Sequence, residues 1–150
     1  SNSNPYTPAV NLVFALDEAL KMMKEEGLDN IFLRHNKHKL AISNAVKALD
    51  LELFADEKYL SPSITAIKTG EIDAEEFRKT IKNKFDILLA GGQDQLKGKI
   101  FRVGHLGYIN DRDIITVITV ISNTLLDLGK ITAQQAGEAL GVVSKYLEEN

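Results

Sequence analysis

The sequence predicts an α+β fold: a small, mostly antiparallel sheet with helices on one face, preceded by long helices. Three observations predict it. Apolar residues recur at helical spacing from Ala9 to Leu49. Short β-branched and alternating runs follow between Leu51 and Val103, split by one capped helix. Two further capped helices close the chain after Tyr108. Strands and helices that share one short stretch build a single layered domain.

Ser1 to Asn4 reads as a polar, structureless start with no signal peptide. Residues 1–8 form an extended segment, because Tyr6-Thr7-Pro8 follows Pro5 and a residue before proline is pushed out of the α region. Residues 9–50 hold two long helices. Ala9, Leu12, Val13, Leu16, Leu20 and Met23 mark the first, and Gly27 ends or bends it. The second runs from about Leu28 to Leu49, with Ile31, Ile42, Ala45, Val46 and Leu49 as its apolar face and Asn36, Ser43 and Lys47 as its wet face. Helices meeting at a glycine suggest an extended or bent arm.

Residues 51–129 form the α/β domain. Leu51 to Phe54 is a short strand, Ala55 to Leu60 a charged loop, and Ser63 to Ile67 a β-branched strand. Asp73 with Glu76 three residues on marks a helix start, with Phe77 and Ile81 facing in. The run ILLAGGQDQLKGKIFRVGHLGY, 87–108, reads as a strand, a Gly-Gly turn, a polar loop, a second strand and a glycine-rich exit. Asn110 caps a helix whose first turn carries Asp111 and Asp113, favourable at the positive dipole end. Ile114, Ile115, Val117, Ile118, Val120, Ile121, Leu125 and Leu126 make that helix apolar over most of its surface, so it should pack on several sides. Gly129 stops it. Thr132 and Gln135 then cap a last helix within 130–150.

Composition narrows the function. A chain of 150 residues is long enough for one proper core. A net charge of −3 with dispersed lysines argues against a nucleic-acid surface. No apolar run approaches the roughly 20 residues needed to span a membrane. Without cysteine there is no disulfide, thiol nucleophile or thiolate metal site, which fits a cytoplasmic protein.

The chemistry concentrates at Arg102. Strand alternation puts Ile100 and Arg102 on one face and Phe101 and Val103 on the other. An arginine there must meet a carboxylate, a phosphate or water. It could hold a small carboxylate, or it could pair with a neighbouring Asp or Glu as a purely structural link. The glycines at 91, 92, 104 and 107 allow close backbone approach or positive φ. His105 could serve as acid or base, but no partner is visible, and structural hydrogen bonding is the default. His35 and His38 lie near the apolar sector of their helix without a third ligand a turn away, so packing or an interface is expected and a metal site is not. Asp94, Lys97 and Lys99 read as a solvated loop. Gly91-Gly92 lacks the spacing of a dinucleotide fingerprint, and no Ser-His-Asp arrangement is apparent.

Six segments, in order, carry a family resemblance: PYTPAVNL at 5–12, EEGLDN at 25–30 with Arg34-His35 after it, LELF at 51–54, SPSITAI at 61–67, LLAGGQ at 88–93 and KGKIFRVGHLGY at 97–108. Together they resemble the C-terminal part of class V pyridoxal-phosphate-dependent aminotransferases of the alanine/serine–glyoxylate type, including members named as a soluble hydrogenase subunit. The last helix, after Gly129, lies beyond that likeness.

The resemblance implies the small C-terminal domain of a fold-type I enzyme, over residues 51–129, with the helix leading into it. It implies that Arg102 binds the substrate carboxylate. It implies that Thr7 contacts the phosphate of pyridoxal 5'-phosphate across a homodimer interface; the match at Tyr6 is looser, since members vary there. The family's Schiff-base lysine and ring-nitrogen aspartate lie in an N-terminal cofactor domain, and no lysine here sits in that context. No catalytic residue is therefore expected in this chain, and the domain alone should not transaminate. Its substrates would be a small amino acid and a keto acid such as glyoxylate. Nucleic acid and membrane are not expected partners. The alternative is a freestanding, non-enzymatic, small-molecule-binding regulatory module. A third possibility is a pure interaction role for the very apolar helix at 110–128.

Overall fold

A computed structural model of the chain describes residues 6–148. The polar start at Ser1–Asn4 and the lead-in at Pro5 lie outside the described residues. The chain divides into two units, one ending at Arg34 and one beginning at His35.

In the first unit, Tyr6 to Ala9 is non-helical and α1 spans Val10–Glu26. Gly27 stops it with φ +83°, its N–H returning to the Met23 carbonyl at 3.0 Å. Only glycine takes that dihedral without strain. The chain restarts at once as α2, Leu28–Ala48. Arg34 closes over this break: its Nε and Nη2 reach the two carboxylate oxygens of Glu26 at 2.5 and 2.9 Å. No residue of α1 is buried, and Leu12, Phe14 and Leu16 are more than half exposed.

The second unit holds the sheet. β1 (Glu52–Leu53), β2 (Ile64–Lys68), β3 (Ala90–Gly91) and β4 (Ile100–Gly104) lie in the order β1-β2-β4-β3, every pair antiparallel. The register sets Ala66 and Ala90 on either side of Arg102, and Ile67 and Gly91 on either side of Phe101. Residues directly opposite share a face. The Phe101 face is therefore the helix-covered one: Leu53, Thr65, Ile67, Phe101 and Val103 are buried there. Phe77 of α3 (Ala74–Phe85) sits on Phe101 with ring centres 5.2 Å apart. The Arg102 face carries Glu52, Ile64, Ala66, Lys68 and Ala90, all at least partly exposed. The Ile100/Arg102 versus Phe101/Val103 alternation holds in register, but Ile100, on the Arg102 face, is buried as well.

The helix ends follow the expected chemistry. The Asp73 side chain accepts from the N–H groups of Glu75 and Glu76. Asn110 and Asp113 form a reciprocal capping box at the start of α4 (Asp111–Asp127). Thr132 and Gln135 do the same before α5 (Ala133–Glu148). α4 is buried at Ile114, Val117, Ile118, Val120, Ile121, Ser122, Thr124 and Leu125, and packs on both α3 and α5. That explains its apolar girth. No helix among the described residues is long and apolar enough to cross a membrane.

Two expectations fail. Ser43, expected on the wet face of α2, is 2% exposed. Its hydroxyl donates back to the Lys39 carbonyl at 2.8 Å, which satisfies the polar group inside the helix and lets it be buried. The strand expected at Ile87–Ala90, with a Gly-Gly turn after it, is instead the two-residue β3, with Gly91 in the ladder. Arg78 of α3 takes the Leu89 carbonyl, and pairing starts only at Ala90.

Candidate ligand-binding face around Arg102

Arg102 projects from the central part of β4 onto the face opposite the helices. Alanine on both neighbouring strands, Ala66 and Ala90, leaves its long side chain uncrowded. Its Nε donates to the Gly91 carbonyl at 3.0 Å. β3 is an edge strand, and an edge strand leaves alternate carbonyls without a ladder partner. Arg102 takes one of them. Among the described residues it forms no ion pair with an Asp or Glu, so the structural link left open by the sequence is not made. The half-buried guanidinium keeps its two terminal nitrogens for something else.

On that face Glu52 is occupied, paired with Lys68 across β1 and β2. A cavity of about 510 Å³ lies toward this end of the sheet, lined by Phe54, Lys68, Leu96, Lys99 and Ile100 among others, but Arg102 does not line it.

The glycines divide by cause. A Cβ at Gly92 would lie 2.0 Å from the Leu96 carbonyl oxygen, so only glycine fits the turn there. A Cβ at Gly91 would lie 2.4 Å from Arg78 Nη1. Gly104 differs from expectation, with open space where a side chain would begin.

All three histidines are buried together. His105 Nε2 lies 2.9 Å from the Thr65 hydroxyl, and its N–H donates to the Ser63 carbonyl at 2.9 Å. Its carbonyl meets His35 Nδ1 at 3.0 Å. His38 Nε2 contacts Asp111 at 2.7 Å, and Lys37 reaches the other oxygen of that carboxylate at 3.1 Å. Burial pushes the His105 imidazole down to about 4, with His38 and His35 adding to the effect. It is neutral at pH 7 and fastens the end of β4 to β2 and α2. Burial works to raise the Asp111 carboxyl, but its hydrogen bonds to His38 and Lys37 win and hold it below the usual carboxylate range. Among the described residues no group of three or more His, Asp and Glu is arranged to hold a metal ion.

Thr7 lies in the other unit, in non-helical backbone and exposed, with no hydrogen bond to its hydroxyl among the described residues. Sequence reasoning passed over Arg78 and Glu75 of α3. Their i,i+3 spacing marks a pair, but nothing in the sequence says that α3 lies against Gly91.

No family model matches the chain. The chain is 52% identical over 128 residues to the soluble hydrogenase 42 kDa subunit of Anabaena cylindrica, covering 85% of this chain and 33% of that one. It is 36% identical to the serine–glyoxylate aminotransferase of Methylorubrum extorquens, over 97% of this chain and 36% of the relative. Among solved structures, ureidoglycine–glyoxylate aminotransferase from Bacillus subtilis superposes with a TM-score of 0.85 at 32% identity, over 93% of this chain and 37% of that one. The chain therefore spans about a third of the length of the curated relatives it matches. Its homologues and structural neighbours are class V aminotransferases, and what it matches in them is their C-terminal domain.

Proposed function

We propose that this domain serves a pyridoxal-phosphate-dependent aminotransferase, which moves an amino group from a small amino acid such as alanine or serine to a keto acid such as glyoxylate. Arg102 holds the substrate α-carboxylate. The observation that carries this is the state of its guanidinium: anchored through Nε, half-buried, and without a carboxylate of its own. A guanidinium used end-on offers two parallel N–H donors, the geometry a carboxylate accepts. Fixing the carboxylate at one end of a small substrate orients its Cα–H bond. The serine–glyoxylate and ureidoglycine–glyoxylate aminotransferases that the chain resembles support the same reaction class.

Thr7 supplies a hydroxyl to the cofactor phosphate, within a homodimer. An exposed hydroxyl on non-helical backbone, unengaged among the described residues, fits a phosphate oxygen. When bound, the cofactor supplies the electron sink, and its lysine and ring-nitrogen partner belong to a separate cofactor domain. This domain by itself binds and orients but does not transaminate; adding cofactor and both substrates to it should consume no amino donor. The competing reading, a freestanding binding module, requires the coding sequence to begin near Tyr6. The aminotransferase reading requires it to continue upstream into a strand–helix domain bearing a lysine.

Steady-state kinetics on the complete polypeptide test the assignment. Arg102→Ala should raise the KM for the amino donor strongly and lower kcat/KM, with the cofactor retained. Unchanged kinetics would remove Arg102 from the site.

A further inference from the structure

We propose that Arg78 and Glu75 of α3 are positioning residues for Arg102, acting through the edge strand β3. This rests on the reading of Arg102 as the carboxylate holder. A guanidinium anchored through one hydrogen bond is only as well placed as the carbonyl that accepts it. That carbonyl belongs to Gly91, in a strand two residues long and paired on one side. Left to its own ladder, such a strand would shift easily.

α3 prevents this from the opposite side. Arg78 Nε donates to the Leu89 carbonyl at 2.7 Å, two residues before Gly91. Its Nη1 donates to Glu75 at 2.8 Å, so the guanidinium is itself oriented by a neighbour on the same helix. The pair also rests on Gly91, since a Cβ there would lie 2.4 Å from Arg78 Nη1 and 2.7 Å from Glu75 Oε1. α3 in turn is fixed at its start, where the Ala74 N–H meets the Gly98 carbonyl at 2.9 Å. Two arginines therefore hold this short segment, Arg78 at the Leu89 carbonyl from the helix side and Arg102 at the Gly91 carbonyl from the open side. A merely decorative i,i+3 pair would contribute little at this exposure. The bond to the Leu89 backbone is what couples it to the strand.

The test compares wild type, Arg78→Ala, Glu75→Gln, Arg102→Ala and the Arg78→Ala/Arg102→Ala double variant in the complete polypeptide. Each is assayed with an amino acid donor and with the amine that lacks its carboxylate. Arg78→Ala should raise the KM for the amino acid about tenfold, because small misplacements of a clamp are costly. kcat should change little, and the KM for the carboxylate-free amine should not move. Glu75→Gln should act in the same direction, more weakly. In the Arg102→Ala background, Arg78→Ala should add nothing. If Arg78→Ala fails to fold, Arg78→Lys carries the same test, since lysine reaches only one of the two partners. If Arg102→Ala itself leaves KM unchanged, the assignment of Arg102 falls. If Arg102→Ala raises KM but Arg78→Ala does not, or adds its full factor in the double variant, the positioning role alone is overturned.

Discussion

Acid should weaken this fold through His105, and the size of the effect follows from its surroundings. The ring is fully buried, and burial lowers its pKa from the ordinary 6.5 to about 4. The unfolded chain takes up a proton as pH falls through 6.5, while the folded chain resists until about 4. A depressed folded pKa on a histidine thus means stability that is present above pH 6.5 and lost as pH falls toward 4. At about 1.4 kcal/mol per pH unit, that gap is worth about 3 kcal/mol. His38 and His35 face the ring and push its pKa down further. Asp111, with its lowered carboxyl, loses stability in the same direction at still lower pH. Urea unfolding of the chain at pH 7 and pH 4.5, for wild type and His105→Gln, isolates the contribution. The substituted chain should lose about 2–3 kcal/mol less between the two conditions. Equal losses in both proteins would refute the reasoning.

Three further outcomes follow from single contacts. Phe101→Ala, which empties the centre of the sheet–helix core against Phe77, should cost about 3–5 kcal/mol in chemical denaturation. Gly92→Ala forces a side chain into the Leu96 carbonyl and should cost about 1–3 kcal/mol, read as a lowered Tm; an unchanged Tm would show that the turn has room. In the complete polypeptide, Thr7→Ala should speed cofactor loss on dialysis against cofactor-free buffer while leaving the KM for the amino donor near wild type.

Much of this architecture was legible in the residues because it depends on local rules. Asn110 with Asp113 and Thr132 with Gln135 satisfy helix ends within four residues, so their spacing alone reveals them. The two-residue period of Ile100 to Val103 separated the Arg102 face from the core. What could not be read depends on partners distant in the chain. His105 meets Thr65, 40 residues away, and His35, 70 residues away. Nothing in the local sequence marks those pairings, and they decide that the histidine is structural. Ser43 looked polar and therefore wet, but a back-bond to Lys39 removed the cost of burying it. The strand expected from Ile87 begins only at Ala90, where the Leu89 carbonyl before it is taken by Arg78 of α3, a partner that the strand propensity of Ile87 to Leu89 does not reveal. The family likeness points to Arg102; the structure adds its anchor at Gly91 and the absence of an ion pair among the described residues.

We propose that the terminal nitrogens of Arg102 receive a carboxylate. The most direct measurement of this is the ratio of kcat/KM for an amino acid to that for its carboxylate-free amine, in the complete polypeptide and in Arg102→Ala. Two charge-assisted hydrogen bonds at a half-buried site are worth about 3 kcal/mol or more, a factor of roughly one hundred. Wild type should prefer the amino acid by at least about that factor, and Arg102→Ala should lose most of the preference. An undiminished preference in Arg102→Ala would contradict it.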